Sequence, residues 1–326
     1  MGEMTETQPH GLQFFPVPLF ASVMGVGGLS LAWRRAAKVY DVPTGVATAL
    51  FWVALAMFAL FVAAYAAKWV RFPAAAWAEA RHPIRMAFVP TITIAALIVA
   101  TAGQTIMPDV ARVLWWIGAV GHLALTVAIL SAWFEREDIG LTQMTPAWFI
   151  PIVGNVVTPL AAREIGSEEF AWFAFGVGLI FWVALLPLLL FRLLLHDNPM
   201  PPKLLPSLAI FVAPPAVSML SWVALTGEAP SAPPARILYA CVLVFVALVV
   251  GQYPKLRKVP FAIPYWAFTF PAAAASAAAT TMAGALAARA YDVVAIALLA
   301  VASVTVAGVF VLTLRAAARR QICVPE

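Results

Sequence analysis

Ten long apolar stretches run through this chain, and no aspartate, glutamate, lysine or arginine falls in the middle of any of them. Crossing the hydrocarbon layer takes about 20 consecutive apolar residues, so stretches of this kind constrain the fold more than any other feature. They are read at 12–33, 46–67, 83–103, 110–134, 147–162, 170–195, 204–225, 236–253, 261–287 and 293–314, the fifth being short. Hydrophobic residues make up 63% of the sequence and charged residues 11%, against about half and about a quarter in soluble domains. In lipid each backbone N–H and C=O needs a partner within the protein, and continuous runs this long meet that need as helices. The expected fold is an all-α integral membrane protein of ten transmembrane helices. A polar tail at 1–11 and a second tail at 315–326 flank one membrane domain at 12–314.

Loop charge sets the expected orientation. Thirteen of the 20 lysines and arginines fall on the side that holds both termini, among them Lys68, Arg85, Arg136, Lys255, Arg257 and Arg315. The positive-inside rule then puts both termini in the cytoplasm. Residues 1–11 are polar and lack a basic run, so no cleaved signal peptide is expected and the first stretch targets the chain. The basic residues sit at stretch ends, which fits membrane flanks and not a nucleic-acid partner. Cys241 and Cys323 have no disulfide or metal-ligand spacing and read as free thiols.

Prolines then divide the stretches into two kinds. Pro16, Pro18, Pro90, Pro151, Pro159, Pro214, Pro215, Pro264 and Pro271 lie inside odd-numbered stretches, whereas the even-numbered ones hold Pro187 alone. The odd stretches recur roughly every 60 residues, which makes the unit a helical hairpin repeated five times. Proline inside a helix removes a hydrogen bond and bends the axis, and in a membrane the freed carbonyl must find water or protein. Kinked helices therefore belong inside, and straight ones belong outside against lipid. The odd stretches also carry small and hydroxyl residues such as Gly25, Gly28, Thr91, Thr93, Ser218 and Thr280. The expected layout is an inner ring of five kinked odd helices around a central pore, walled off by an outer ring of five even helices. Close helix packing through small residues is the plainer explanation of the same pattern.

The chemistry this excludes is as informative. His10, His82, His122 and His196 have no second ligand at metal spacing. His122, in the fourth stretch, reads as a packed, hydrogen-bonded residue. Gly25-Val26-Gly27-Gly28 lacks the strand and ribose-binding acid of a nucleotide fingerprint, and no P-loop is present. No cluster of nucleophiles, acids or ligands shares one membrane depth, so neither an enzyme nor a cofactor is expected. Coupled carriers usually hold a titrating or ion-binding charge at membrane depth, and none is found there. Arg85, about one turn into the third stretch, is either an interfacial anchor or part of an electropositive mouth that gathers anions.

Three motifs add a resemblance. Gly25-Val-Gly-Gly-Leu-Ser-Leu-Ala-Trp33, His82-Pro-Ile-Arg85-Met-Ala-Phe88 and Tyr265-Trp-Ala-Phe-Thr-Phe270 together resemble the tellurite-resistance TehA family, which includes plant guard-cell slow anion channels and fungal malate and sulfite transporters. The likeness covers the whole chain, and the order and spacing of the motifs carry it. It implies a homotrimer in the cell inner membrane, each protomer with its own pore for small anions such as chloride and nitrate. The alternative it leaves open is a facilitator or exporter of malate, sulfite or tellurite. The resemblance also implies that Phe270 plugs the pore. The pattern of prolines and small residues puts Pro271, Pro264, Pro214, Pro151, Pro90 and Gly25, with Phe268, at lining or kink positions, and Arg85 is expected at the cytoplasmic mouth. Pro271 departs from the family's glycine after the gate position, and Ala21 and Val23 replace a glycine and a proline. A proline at 271 is expected to bias Phe270 away from helical geometry.

Overall fold

A computed structural model describes residues 11–195 and 199–325. The expectations for the tail before Gly11, for His10 and for His196 lie outside the described residues. Every regular element among the described residues is helical. The α-helices are α1 (Phe20–Tyr40), α2 (Gly45–Arg71), α3 (Pro73–Ala80), α4 (Thr91–Gly103), α5 (Pro108–Glu135), α6 (Phe149–Val153) and α7 (Ala162–Ile165), followed by α8 (Glu168–Leu195), α9 (Ala213–Thr226), α10 (Pro233–Gly251), α11 (Tyr253–Leu256), α12 (Thr269–Leu286) and α13 (Arg289–Ala318). Counting 3₁₀ lead-ins, eight helices are long and apolar enough to cross a membrane, as expected of a multi-pass membrane protein. The fifth and ninth stretches are not among those eight.

Burial divides the eight into two groups. The most apolar windows of Val17–Tyr40, Arg85–Gly103 and Pro202–Thr226 are 72%, 78% and 67% buried, while those of α2, α5, α8, α10 and α13 are between 22% and 33% buried. The weakly buried helices share one pattern. In α13 the buried positions are Ala295, Leu299, Ala302, Val306 and Val309, spaced alternately by four and three. That is one seam of a helix, with the remaining faces turned outward. Each odd stretch packs on its neighbours in sequence: α1 on α4, α4 on the 154–161 segment, that segment on α9, and α9 on α12. α12 then packs on α1.

The proline-rich stretches are broken where simple kinks were expected. Each begins as 3₁₀ helix and passes into α-helix at or near a proline. Residues Arg85–Phe88 are 3₁₀ and Pro90 caps α4. Pro202–Val212 is 3₁₀ around Pro206, and Pro214 and Pro215 fall in the first turn of α9. Ile263–Phe268, which contains Pro264, precedes Pro271 in the first turn of α12. The fifth stretch alternates 3₁₀ and α through Pro146–Trp148, α6, Gly154–Ala161 and α7. A proline in the first helical turn forfeits no hydrogen bond, because that N–H has no intrahelical partner anyway. For that reason junctions, and not helix interiors, hold most of these residues. Pro187 alone interrupts a long outer helix, α8.

Breaking a helix frees carbonyls, and side chains from neighbouring helices meet them. Thr126 of α5 donates to Pro151 O at 2.6 Å, Ser221 of α9 to Val156 O at 2.5 Å, and Trp115 of α5 to Thr158 O at 3.0 Å. Thr93 donates to Pro90 O at 2.8 Å, and its oxygen lies 2.8 Å from Nδ1 of the fully buried His122. His122 is thus packed and hydrogen-bonded, as its sequence context indicated.

One buried ion pair was not anticipated. Lys68 at the end of α2 donates to Glu79 Oε2 of α3 at 2.7 Å and to Phe15 O at 2.8 Å. Glu79 Oε1 accepts from Val17 N at 2.9 Å. The connection after α2 therefore clamps the start of the first stretch through charge and backbone.

Candidate functional site

Residues from all five odd stretches line one partly open cavity of about 80 Å³. Pro18, Ala21 and Met24 come from the first and Phe88, Thr91 and Ile94 from the third. Phe149, Val153 and Val157 come from the fifth, Ile210, Pro214 and Val217 from the seventh, and Ile263, Ala267 and Phe270 from the ninth. Within each stretch these positions recur at intervals of three or four, the spacing that keeps side chains on one helical face. They lie in the N-terminal and middle parts of their stretches, beside the 3₁₀ segments and prolines.

The cavity wall is apolar and holds no titratable side chain. Its few polar side chains are already committed. Thr91 donates to Phe88 O at 2.6 Å, Ser207 to Leu204 O at 2.6 Å, and Trp266 Nε1 to Thr313 Oγ1 at 2.9 Å. No proton equilibrium therefore sets the charge of this wall. Among the described residues, no group of three or more His, Cys, Asp or Glu could hold a metal ion.

Phe270 is 8% exposed and its ring rests on the backbone of α1. A Cβ added at Gly28 would sit 3.0 Å from Phe270 Cδ2 and 3.3 Å from the Ala273 methyl. The missing side chain at Gly28 is what leaves room for the ring. Contrary to expectation, Phe270 is helical: α12 starts at Thr269, so Pro271 is its third residue and fits the helix without forcing its neighbour out. Pro271 lines the cavity beside it, as do Pro264 and Pro214.

Other expected positions fall elsewhere. Gly25 is not on the cavity wall; a Cβ there would overlap the hydroxyl of Thr269, so this glycine allows α1 and α12 to approach. Phe268 faces the opposite side of α12, where it lines an outer cleft with Ala272 and Ala275, because a shift of two residues turns a helical side chain about half a revolution away. Pro90, the cap of α4, and Pro151, the third residue of α6, are buried behind the wall, next to the lining residues Thr91 and Ile150. Arg85 is half-buried at the head of the Arg85–Phe88 turn, three residues before Phe88; its N–H donates to His82 Nδ1 at 3.2 Å and its other interactions engage it within the fold. Sequence reasoning named Gly28 only as one of several small residues, without its partner Phe270, and missed Met24. The signal was present, since Ala21, Met24 and Gly28 share one face of α1 by spacing alone.

Comparison with known proteins gives the chain a family. The profile of the voltage-dependent anion channel family matches residues 14–314. An uncharacterized transporter of Methanocaldococcus jannaschii is 26% identical over 84% of this chain and 85% of its own length. The S-type anion channel SLAH2 of Arabidopsis thaliana is 27% identical over 83% of this chain and 53% of its own. The tellurite resistance protein TehA homolog of Haemophilus influenzae is 26% identical over 80% of this chain and 79% of its own. The chain belongs to the voltage-dependent anion channel family.

Proposed function

We propose that this protein is an anion-selective channel in which the five odd stretches surround a narrow conduit and Phe270 gates it. The observation that carries this reading is the cavity wall, to which all five odd stretches contribute and in which Phe270 stands. The layout is a ten-crossing bundle of five hairpins, the odd members inside. Extended 3₁₀ geometry supports crossings by the two stretches that fall short of ordinary membrane helices. With about 2.0 Å of rise per 3₁₀ residue and 1.5 Å per α residue, residues 146–165 extend roughly 35 Å and residues 263–286 roughly 39 Å. A hydrocarbon core of about 30 Å is within reach of both.

A wall without carboxylates offers nothing to concentrate cations, and the basic termini side raises the local anion concentration. Arg85 belongs to that basic mouth. The ions are small and monovalent, chloride and nitrate, conducted through a separate pore in each protomer of a homotrimer. The membrane is the cell inner membrane, with both termini cytoplasmic. A large ring in an uncharged constriction excludes water, and a hydrated anion pays for lost hydration there.

The test is anion flux through reconstituted protein with Phe270→Ala. Each 1.4 kcal/mol taken off the barrier multiplies the current about tenfold, so a rise of at least that size is expected with chloride and nitrate. An unchanged current, from a variant that inserts and melts like the parent, rejects the gate. The alternative, an exporter of oxyanions, draws on the tellurite-resistance name of one relative. Rates well above about 10³ ions per second exceed typical turnover and separate a channel from that carrier.

A further inference from the structure

Behind the gate helix lies a second space. A cleft of about 390 Å³ opens between α10 and α13, floored by α12. Its lining runs along α13 from Leu298 to Leu312, about 21 Å of helix, which exceeds the roughly 15 Å depth of one leaflet's hydrocarbon. The lining is almost wholly aliphatic, with Tyr265 and Thr305 as the polar exceptions. α10 and α13 are outer helices whose flanks are exposed large hydrophobics such as Val244, Leu248, Val304 and Leu312. The cleft therefore opens toward lipid.

Its rim is charged. The lining residues Val249, Val250, Tyr265 and Leu312 mark the end of the cleft nearest the basic face. Just beyond them come Lys255, Arg257 and Lys258 after α10, and Arg315, Arg319 and Arg320 at the end of α13, all exposed. No aspartate or glutamate occurs at 246–268 or 298–325, and none of the six cations is in an ion pair among the described residues.

We infer that this cleft is a binding site for an anionic phospholipid, with one acyl chain between α10 and α13 and the phosphate on the basic rim. An apolar slot open to the bilayer is filled by hydrocarbon, since water has no partners there. Six exposed cations at its mouth select the headgroup, as basic pockets at the cytoplasmic ends of membrane helices do. A phosphate complements these cations, which no carboxylate at 246–268 or 298–325 offsets, and that charge argues for lipid as the occupant. Pro271 lines this cleft and the central cavity alike, so the bound chain would lie directly behind Phe270.

The probe is a phosphatidylglycerol carrying a photoreactive diazirine at the acyl tail, compared with the matching phosphatidylcholine, in vesicles holding the full-length protein. Labelled peptides are mapped after illumination, a readout that needs no conduction and stands apart from the channel reading. Phosphatidylglycerol is expected to label residues 246–250, 268–275 and 298–312 about tenfold more than phosphatidylcholine does. Gly308→Trp fills the cleft and should abolish that label; Gly308 lines it, a Cβ there meets nothing within 4 Å, and a melt matching the parent's checks that the variant folds. The triple change Lys255→Gln, Arg257→Gln and Lys258→Gln should reduce phosphatidylglycerol labelling toward that of phosphatidylcholine. Label spread evenly over all outer helices, equal labelling by the two headgroups, or label that survives Gly308→Trp would overturn the site.

Discussion

The two helices that close the chain, α12 and α13, pack against each other yet solve different problems. α13 buries a single seam, and its remaining faces carry Val293, Ile296, Val301 and Val304 into the surroundings. α12 is buried nearly all round, from Thr269 to Ala283, and beyond Phe270 and Pro271 is built mostly from alanine, serine and threonine. A helix enclosed on every side can approach its neighbours only if its side chains are small, whereas a helix facing lipid needs only apolar bulk. The hydrophobic effect alone does not sort these helices, since lipid is as apolar as the interior. Side-chain volume and the satisfaction of freed backbone groups do so instead.

The comparison can be broken most severely at the clamp that ties an outer hairpin to an inner stretch. Lys68→Met leaves Glu79 buried without its cation, and about 3–5 kcal/mol of stability should be lost, read as a lowered unfolding midpoint in detergent. Adding Glu79→Leu to that variant should recover much of the loss, because replacing both members of a buried pair removes the stranded charge. By contrast, Asp138→Asn at the exposed Arg136–Asp138 pair should leave the midpoint unchanged. Equal effects at the two pairs would show that burial is not what distinguishes them.

Glycines give a smaller and cleaner contrast. Gly25→Ala drives a methyl into Thr269, whose hydroxyl is held by Trp266 O at 2.8 Å, and should cost about 1–3 kcal/mol. Gly176→Ala on α8 meets nothing within 4 Å and should stabilise by about 0.5–1 kcal/mol through helix propensity. Thermal melts of both variants in one detergent would sharpen the inner–outer distinction, and it fails if the signs agree.

Much of this was visible in the chain itself. Eight of the ten charge-free stretches coincide with helices long and apolar enough to cross a membrane, and among those eight the proline-rich ones are the more buried. What the prolines do was not visible, because the sequence shows a proline but not whether a helix starts there. Pro271 illustrates this: as the third residue of α12 it fits a helical Phe270, whereas a local steric rule pointed the other way. The Lys68–Glu79 pair looked like ordinary flanking charge, since only the fold brings α3 back against residues 15–17.

Side-chain period and volume, both local properties, fixed which stretches are helical and which can lie inside. The residues that share the cavity wall come from stretches more than 200 positions apart, and no local rule relates Met24 to Phe270. Only the packing of α1 on α12 set Gly28 beneath that ring and left Gly25 against Thr269, because close approach of two backbones depends on both surfaces at once.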